Sequence, residues 1–402
     1  EILIGLVGSE MCIRDSNLGK FLTEANYPYG RIIQAYGTDF SMVLAKKSPF
    51  PTSVMADWET AKKCDRRKFP IGVDDLGNPV YWDTKTTPHL LISGKSGSGK
   101  SSASQIVIAE ALLKGEDIIL IDPSKGCIDF TQWAKPKALA FVGLYQLRET
   151  EAVISWAREE MAERVRINNK YGVGNIFELN PDDVEEADRK HLKPLNILFD
   201  EFNSYLQETG KTTQNPQKDM QIANDNAAVS ATNASIARTM SALSKIIVQG
   251  RTAGIRCIFG AQRLTMDDMK KYNGNAFFRS LGRILLGMDS PAGVVSAQNL
   301  SEANRTQKSL KNEDGLIPVG RGMYESMQGT LMAVQTWYSG GQDELAKLVA
   351  DIPNPEPIDY QQYMPRAAEQ FTKLDVEDIK EIFTSNNGSE NVEDEDVEEE
   401  EW

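Results

Sequence analysis

Eight residues constrain this chain more than any others: Gly94-Lys95-Ser96-Gly97-Ser98-Gly99-Lys100-Ser101. They fit G-x-x-x-x-G-K-[ST], a glycine-rich turn that wraps backbone N–H groups around phosphate oxygens. The flanks supply the right context. His89-Leu90-Leu91-Ile92-Ser93 reads as a short buried strand. Ser102 to Leu113 reads as a helix, with Ile106, Val107, Ala109, Ala111 and Leu112 on its apolar faces. Strand, loop and helix together set a helix N-terminus, with its partial positive charge, against the phosphates. In that geometry Gly94 through Ser102 cradle a nucleotide such as ATP. Lys100 reaches the β- and γ-phosphates, and the Ser101 hydroxyl ligates Mg²⁺. A glycine-rich turn with a solvated lysine is the alternative, and it leaves the flanking strand and helix without a reason.

Further strands follow. Asp117 to Asp122 reads as a buried parallel strand ending in an acid. Leu195-Asn196-Ile197-Leu198-Phe199 runs into Asp200-Glu201, the Walker B arrangement, in which Asp200 holds Mg²⁺ and Glu201 orients the attacking water as general base. Ile255 to Ala261 ends in Gln262-Arg263, so Gln262 is a candidate γ-phosphate sensor, with a surface amide as the other reading. Gly282 to Gly287 gives another strand, and Leu331 to Trp337 an edge strand. Between them, residues 149–170 read as an amphipathic helix with Ala152, Val153, Trp156, Met161 and Val165 on its buried side. Residues 208–234 read as a polar, flexible insertion, followed by a helix from about Ala231 to Gln249. Alternating strands and helices predict an α/β fold with a central, mostly parallel sheet.

The expected organisation is an accessory region over 17–70, a nucleotide-binding domain over 71–350, a helical extension over 351–385 and a disordered acidic tail over 386–402. Asp75-Leu76-Gly77-Asn78 reads as a turn between two short strands. The tail has nine acids and no base, so it supplies most of the net charge of −14 and leaves the body close to neutral. A solvated end is its default role. A docking tail, or a nucleic-acid mimic, is the alternative. Leu6 to Asp15 resembles the translation of a sequencing adapter, so residues 1–16 are expected to be an artefact; a native apolar strand is the other reading. On the artefact reading the true N-terminus is missing, which leaves room upstream for a membrane anchor or another domain. No run approaches the roughly 18 apolar residues of a membrane helix. The four cysteines lack paired spacing, and His89 and His191 lack metal-ligand spacing, which predicts a cytoplasmic setting and a structural His89.

Several stretches together resemble the motor domain of FtsK/SpoIIIE-type DNA translocases. They are PHLLISGKSGSGKSS (Pro88–Ser102), SWAREEMAERVRINNKYGVGNIFELN (Ser155–Asn180), LNILFDEF (Leu195–Phe202), GRTAGIRCIFGAQR (Gly250–Arg263) and Gly320 to Tyr324. The resemblance spans roughly residues 70–338, in the family's order, and the stretch 250–263 makes it specific. Ala261 stands where the family carries threonine, and Leu264 where it carries proline. The insertion after Asp200-Glu201 is long, and no winged-helix DNA-reading domain follows. These departures imply a phage or mobile-element relative.

The resemblance implies a RecA-like core that assembles as a homo-hexamer, with ATP at subunit interfaces and double-stranded DNA as partner. It also implies an arginine supplied by a neighbour; Arg251 is the leading choice, with Arg279 and Arg283 as competitors. Lys270, Lys271 and Arg279 are candidates for the DNA channel. A type VII secretion ATPase and a conjugative coupling ATPase are alternatives within the superfamily. A non-hydrolysing nucleotide-dependent scaffold is the alternative of another class, against which the Asp200-Glu201 pair argues.

Overall fold

The computed structural model describes residues 2–7, 29–36, 39–45, 50–206, 220–265, 268–269, 272, 274–287, 294–312 and 314–365. Strands Ile2–Val7 (β1), Tyr29–Tyr36 (β2) and Asp39–Ala45 (β3) form an antiparallel sheet in the order β1-β3-β2. A second sheet takes all the later strands. They are Val54–Met55 (β4), Lys68–Val73 (β5), Pro79–Asp83 (β6), His89–Gly94 (β7), Asp117–Ile121 (β8), Ala140–Val142 (β9), Leu195–Phe199 (β10), Ile255–Ala261 (β11), Leu281–Leu286 (β12), Arg321–Glu325 (β13) and Leu331–Tyr338 (β14). Their order is β6-β5-β14-β13-β12-β7-β11-β10-β8-β9, with β4 beside β14.

From β9 to β12 the neighbours run parallel. Beyond β12 the path continues antiparallel through β13, β14, β5 and β6. The parallel strands are apolar on both faces because helices cover both. Along β7 the side chains alternate. Leu90 and Ile92 join a core with Val107, Ala111 and Leu112 of helix Lys100–Leu113 (α1). Leu91 joins the opposite core, with Val153 and Met161 of helix Leu147–Tyr171 (α2) and Met240, Leu243 and Ile246 of helix Met220–Gln249 (α3). Trp156 and Val165 pack partly buried against that second core, as expected for α2.

Four expectations need correction. β14 is not an edge strand: it lies between β13 and β5. The hairpin that covers it comes from before the phosphate loop, a pairing no local pattern reveals. The same pairing moves the start of the main sheet: β4 and β5 join it before residue 71. α3 begins at Met220 rather than near Ala231. Ala223, Ala227, Ala228, Ala231 and Ala234 explain this, since alanine favours a helix whatever its polar neighbours suggest. Finally, the described part of the expected helical extension is extended chain with one short 3₁₀ turn at Gln361–Tyr363. The Ile358 N–H donates to the Leu139 carbonyl at 3.0 Å, and Ile358 and Tyr360 rest on the core. The acidic tail lies outside the described residues.

The β5–β6 hairpin turns at Gly77, which has φ 84°, and Asp74 Oδ1 accepts the N–H groups of Leu76 and Asn78. His89 is fully buried. Its Nδ1 accepts the Cys257 N–H and its Nε2 meets the Ile247 carbonyl, both at 3.0 Å. Burial pushes its pKa down to about 4, so the ring is neutral and ties β7 to β11 and to the end of α3.

Candidate functional site

The phosphate loop leaves the C-terminal end of β7, between the parallel strands β11 and β12. A Cβ on Gly94 would lie 2.3 Å from Ser98 Oγ and 2.8 Å from the Leu286 carbonyl oxygen, so only glycine fits there. Gly97 and Gly99 have φ of 76° and 100°, the left-handed region that glycine enters without strain. The Ser98 N–H donates to the Lys95 carbonyl at 3.1 Å and closes the turn. α1 then starts at Lys100 with Gly99 as its cap and no side-chain cap, which leaves its first N–H groups for a ligand. Ser98 Oγ and Ser102 Oγ are buried without partners. The far wall is pinned by the Gly320 N–H, which donates to the Ser98 carbonyl at 2.8 Å.

The acids stand at the tip of β10. Lys100 Nζ lies 2.7 Å from Asp200 Oδ1 and 3.1 Å from Glu201 Oε1. Asp200 Oδ1 also accepts the Glu201 N–H at 3.0 Å. Glu201 is held in the left-handed region at φ 48°, an uncommon conformation for a non-glycine residue that turns its side chain toward the loop. Its Oε2 is buried without a partner. Burial opposes the charge on Lys100, yet Asp200 and then Glu201 hold its pKa above the usual lysine value. Burial likewise opposes the Glu201 charge, but Lys125 and Lys100 hold its carboxyl below the usual range. Both groups are therefore charged at neutral pH.

Asp200 depends on a neighbouring glycine. A Cβ on Gly260 would sit 2.0 Å from Asp200 Oδ1. Gly260→Ala is expected to push the Asp200 carboxylate off Lys100. The expected outcome is a turnover loss of about 10-fold or more, the scale of a misplacement near 1 Å. Steady-state ATPase rates check it.

A cavity of about 320 Å³ opens over the loop. Lys95, Ser96, Gly97 and the stretch from Gly99 to Ser102 form its floor, and Glu201, Gln262, Lys125 and Val319 its sides. Gly94 and Ser98 shape the turn from behind, and Asp200 sits behind Lys100. Gln262 reaches the cavity because its backbone is fixed: its N–H donates to Asn203 Oδ1 at 3.1 Å, and Ser93 Oγ donates to its carbonyl at 3.4 Å.

The proposed arginines lie elsewhere. Arg251 is exposed at the turn entering β11, at the opposite end of the sheet. A seven-residue strand spans about 23 Å, so Arg251 cannot reach this chain's own loop. Arg279 is exposed just before β12, at that same far end. Arg283 is buried, 2.5 Å from Glu325 Oε2 and 2.6 Å from the Phe278 carbonyl, which removes it as a mobile arginine. Lys270 and Lys271 lie outside the described residues.

Sequence reasoning missed Lys125. Its Nζ lies 2.5 Å from Glu201 Oε1. The loop that carries it is fixed by Asp122, whose Oδ1 accepts the N–H groups of Ser124 and Lys125 at 3.1 and 2.8 Å and whose Oδ2 accepts that of Cys127 at 3.0 Å. The only sequence signal was the acid ending β8.

Among the described residues, no group of three or more His, Cys, Asp or Glu gathers to hold a metal. A Mg²⁺ ion would take one or two protein ligands and complete its shell with phosphate and water. Ser101 and Asp200 fit this role. The partnerless Ser98 Oγ, Ser102 Oγ and Glu201 Oε2 fit a polar ligand in the cavity. Among the described residues no helix is long and apolar enough to cross a membrane.

Known proteins resemble this chain in sequence and in fold. The DNA translocase SftA of Bacillus subtilis (strain 168) is 30% identical over 136 residues, which is 33% of this chain and 14% of that protein. DNA translocase FtsK 2 of Neisseria meningitidis serogroup A / serotype 4A is 25% identical over 233 residues, 52% of this chain and 20% of that protein. The chain therefore spans a fifth or less of these two relatives. Among solved structures, the pCW3 conjugation coupling protein TcpA, in a monomer form with ATPγS, shares the fold at a TM-score of 0.57 and 19% identity. That match covers 86% of this chain and 89% of TcpA. The model of the FtsK/SpoIIIE family matches residues 53–266, more than half of the length, and the chain belongs to that family.

Proposed function

We propose that the chain is an ATP-driven motor that translocates double-stranded DNA as a hexameric ring, hydrolysing ATP at subunit interfaces. The observation that carries this reading is the convergence of Lys100, Glu201 and Gln262 on one cavity that no arginine of the described residues lines. The site has its nucleophile-orienting acid, its phosphate cradle and the lysines Lys95, Lys100 and Lys125, and an arginine from a neighbour would add to the charge that stabilises the transition state. In this reading that arginine is Arg251, exposed at the far end of the sheet.

In this reading Glu201 orients a water in line with the γ-phosphorus and accepts its proton. Lys100 leaves Asp200 and Glu201 for the phosphates, and α1 directs its free N–H groups at them. Mg²⁺, held through Ser101 and Asp200, would neutralise charge on the phosphate oxygens. Gln262 senses the γ-phosphate, and Lys270, Lys271 and Arg279 face the DNA. The relatives named as DNA translocases support DNA as the polymer.

ATPase rates measured with and without linear duplex DNA test the proposal. Strong stimulation by duplex is the expected result. A rate indifferent to DNA would move the reading to a secretion motor, and the absence of any hydrolysis would move it to a scaffold.

A further inference from the structure

Two ammonium groups hold the Glu201 carboxylate and weaken it as a base in the arrangement the structure shows. Its Oε1 is shared by two ammonium groups, Lys100 Nζ at 3.1 Å and Lys125 Nζ at 2.5 Å. Its Oε2 is buried. Lone pairs committed to two cations are not available to a water proton. ATP binding explains the departure of Lys100, which follows the phosphates. Nothing in that step removes Lys125.

Lys125 is built to let go. Its backbone is anchored by Asp122, itself 2% exposed, through the three N–H bonds described above. Its side chain is 57% exposed and lines the cavity, so the ammonium can swing without moving the loop. A rigid base with a free arm is the geometry of a restraint. The competitor for that arm also has a place: a γ-phosphate lying between Lys100 and Gln262 faces the same cavity and carries more negative charge than one carboxylate.

Building on the ATPase reading, we propose that Lys125 restrains Glu201, holding the carboxylate until a γ-phosphate draws the ammonium away. Once released, Glu201 takes a proton from the attacking water. The water oxygen bonds to the γ-phosphorus, the bond from that phosphorus to the β–γ bridging oxygen breaks, and ADP leaves with the electron pair. Lys125 is thus a positioning residue, acting through Glu201, and its release sets how often the site fires without DNA.

The test is the ATPase rate of the full chain carrying Lys125→Met, in the absence of DNA. The expected result is a rise of about five-fold, the equivalent of a part-exposed pair worth about 1 kcal/mol. ADP affinity should stay unchanged, because ADP has no γ-phosphate to compete for the arm. Lys125→Arg keeps the charge and the reach, and should keep the low rate. A DNA-free rate that is unchanged or lower in Lys125→Met overturns the restraint, and the lower rate would mean that Lys125 serves turnover through the γ-phosphate rather than by holding Glu201. If Lys125→Met does not fold, a raised DNA-free rate in Asp122→Asn, which loosens the anchor, supports the same claim and an unchanged one refutes it. Loss of the underlying ATPase reading looks different: the unaltered chain would hydrolyse nothing.

Discussion

Glu201→Gln is expected to bind ATP and barely turn it over, with kcat reduced about 10²- to 10⁴-fold, the contribution of a positioned general base. The amide keeps the size of the carboxylate and can still accept from Lys100 and Lys125. The fold and the phosphate cradle are therefore preserved, and the loss falls on proton acceptance alone. Nucleotide affinity and turnover, measured on the same preparation, separate the two effects. Normal hydrolysis by Glu201→Gln would end the assignment of Glu201 as base.

Lys100→Ala is expected to abolish nucleotide binding and also to weaken the empty fold, and the second effect comes from the structure rather than from the motif. Asp200 and Glu201 are 5% and 3% exposed, and Lys100 is the cation between them. Its removal leaves Asp200 buried without its ion-pair partner and Glu201 with Lys125 alone. Breaking a buried pair in this way costs about 3 kcal/mol. The pH dependence follows from the direction of the shifts. The Glu201 carboxyl is held below its ordinary value, so its stabilisation is present above the unfolded carboxylate pKa of about 4.3 and is lost as pH falls through the folded value. The raised lysine pKa makes its share persist up to alkaline pH. The gap in thermal midpoint between the two proteins should thus be widest near neutrality and narrow below about pH 4. A gap that widens in acid would mean the carboxylates are not what Lys100 stabilises.

The phosphate loop was legible because its chemistry is local. Eight consecutive residues carry the glycines, the lysine and the serine, and β7 and α1 adjoin them. Asp200-Glu201 and Gln262 were legible for a related reason: each ends an apolar strand, and parallel strands deliver their C-terminal ends to one side of the sheet. Lys125 was not, because a lysine in a surface loop looks solvated, and its partner lies 76 residues away. Arg283 shows the converse. It stood beside Arg251 as a candidate, since sequence cannot distinguish an arginine paired inside a strand from one exposed at a turn. β14 was misplaced because its neighbour β5 pairs Val73 with Gln335 across most of the chain.

That last pairing bears on how the protein is made. The far wall of the nucleotide cavity is Val319 and Gly320, and Gly320 is held in turn by β14, whose Thr336 N–H donates to its carbonyl at 2.7 Å. A ribosome that has delivered the phosphate loop must therefore add about 240 more residues before the pocket has its last wall, roughly 12–50 s at ordinary elongation rates. For about the first 185 of those residues β7 lacks its β12 neighbour and presents a bare strand edge to any other nascent chain. A truncated gene ending near residue 266 would make that interval permanent, and its product should be recovered from inclusion bodies.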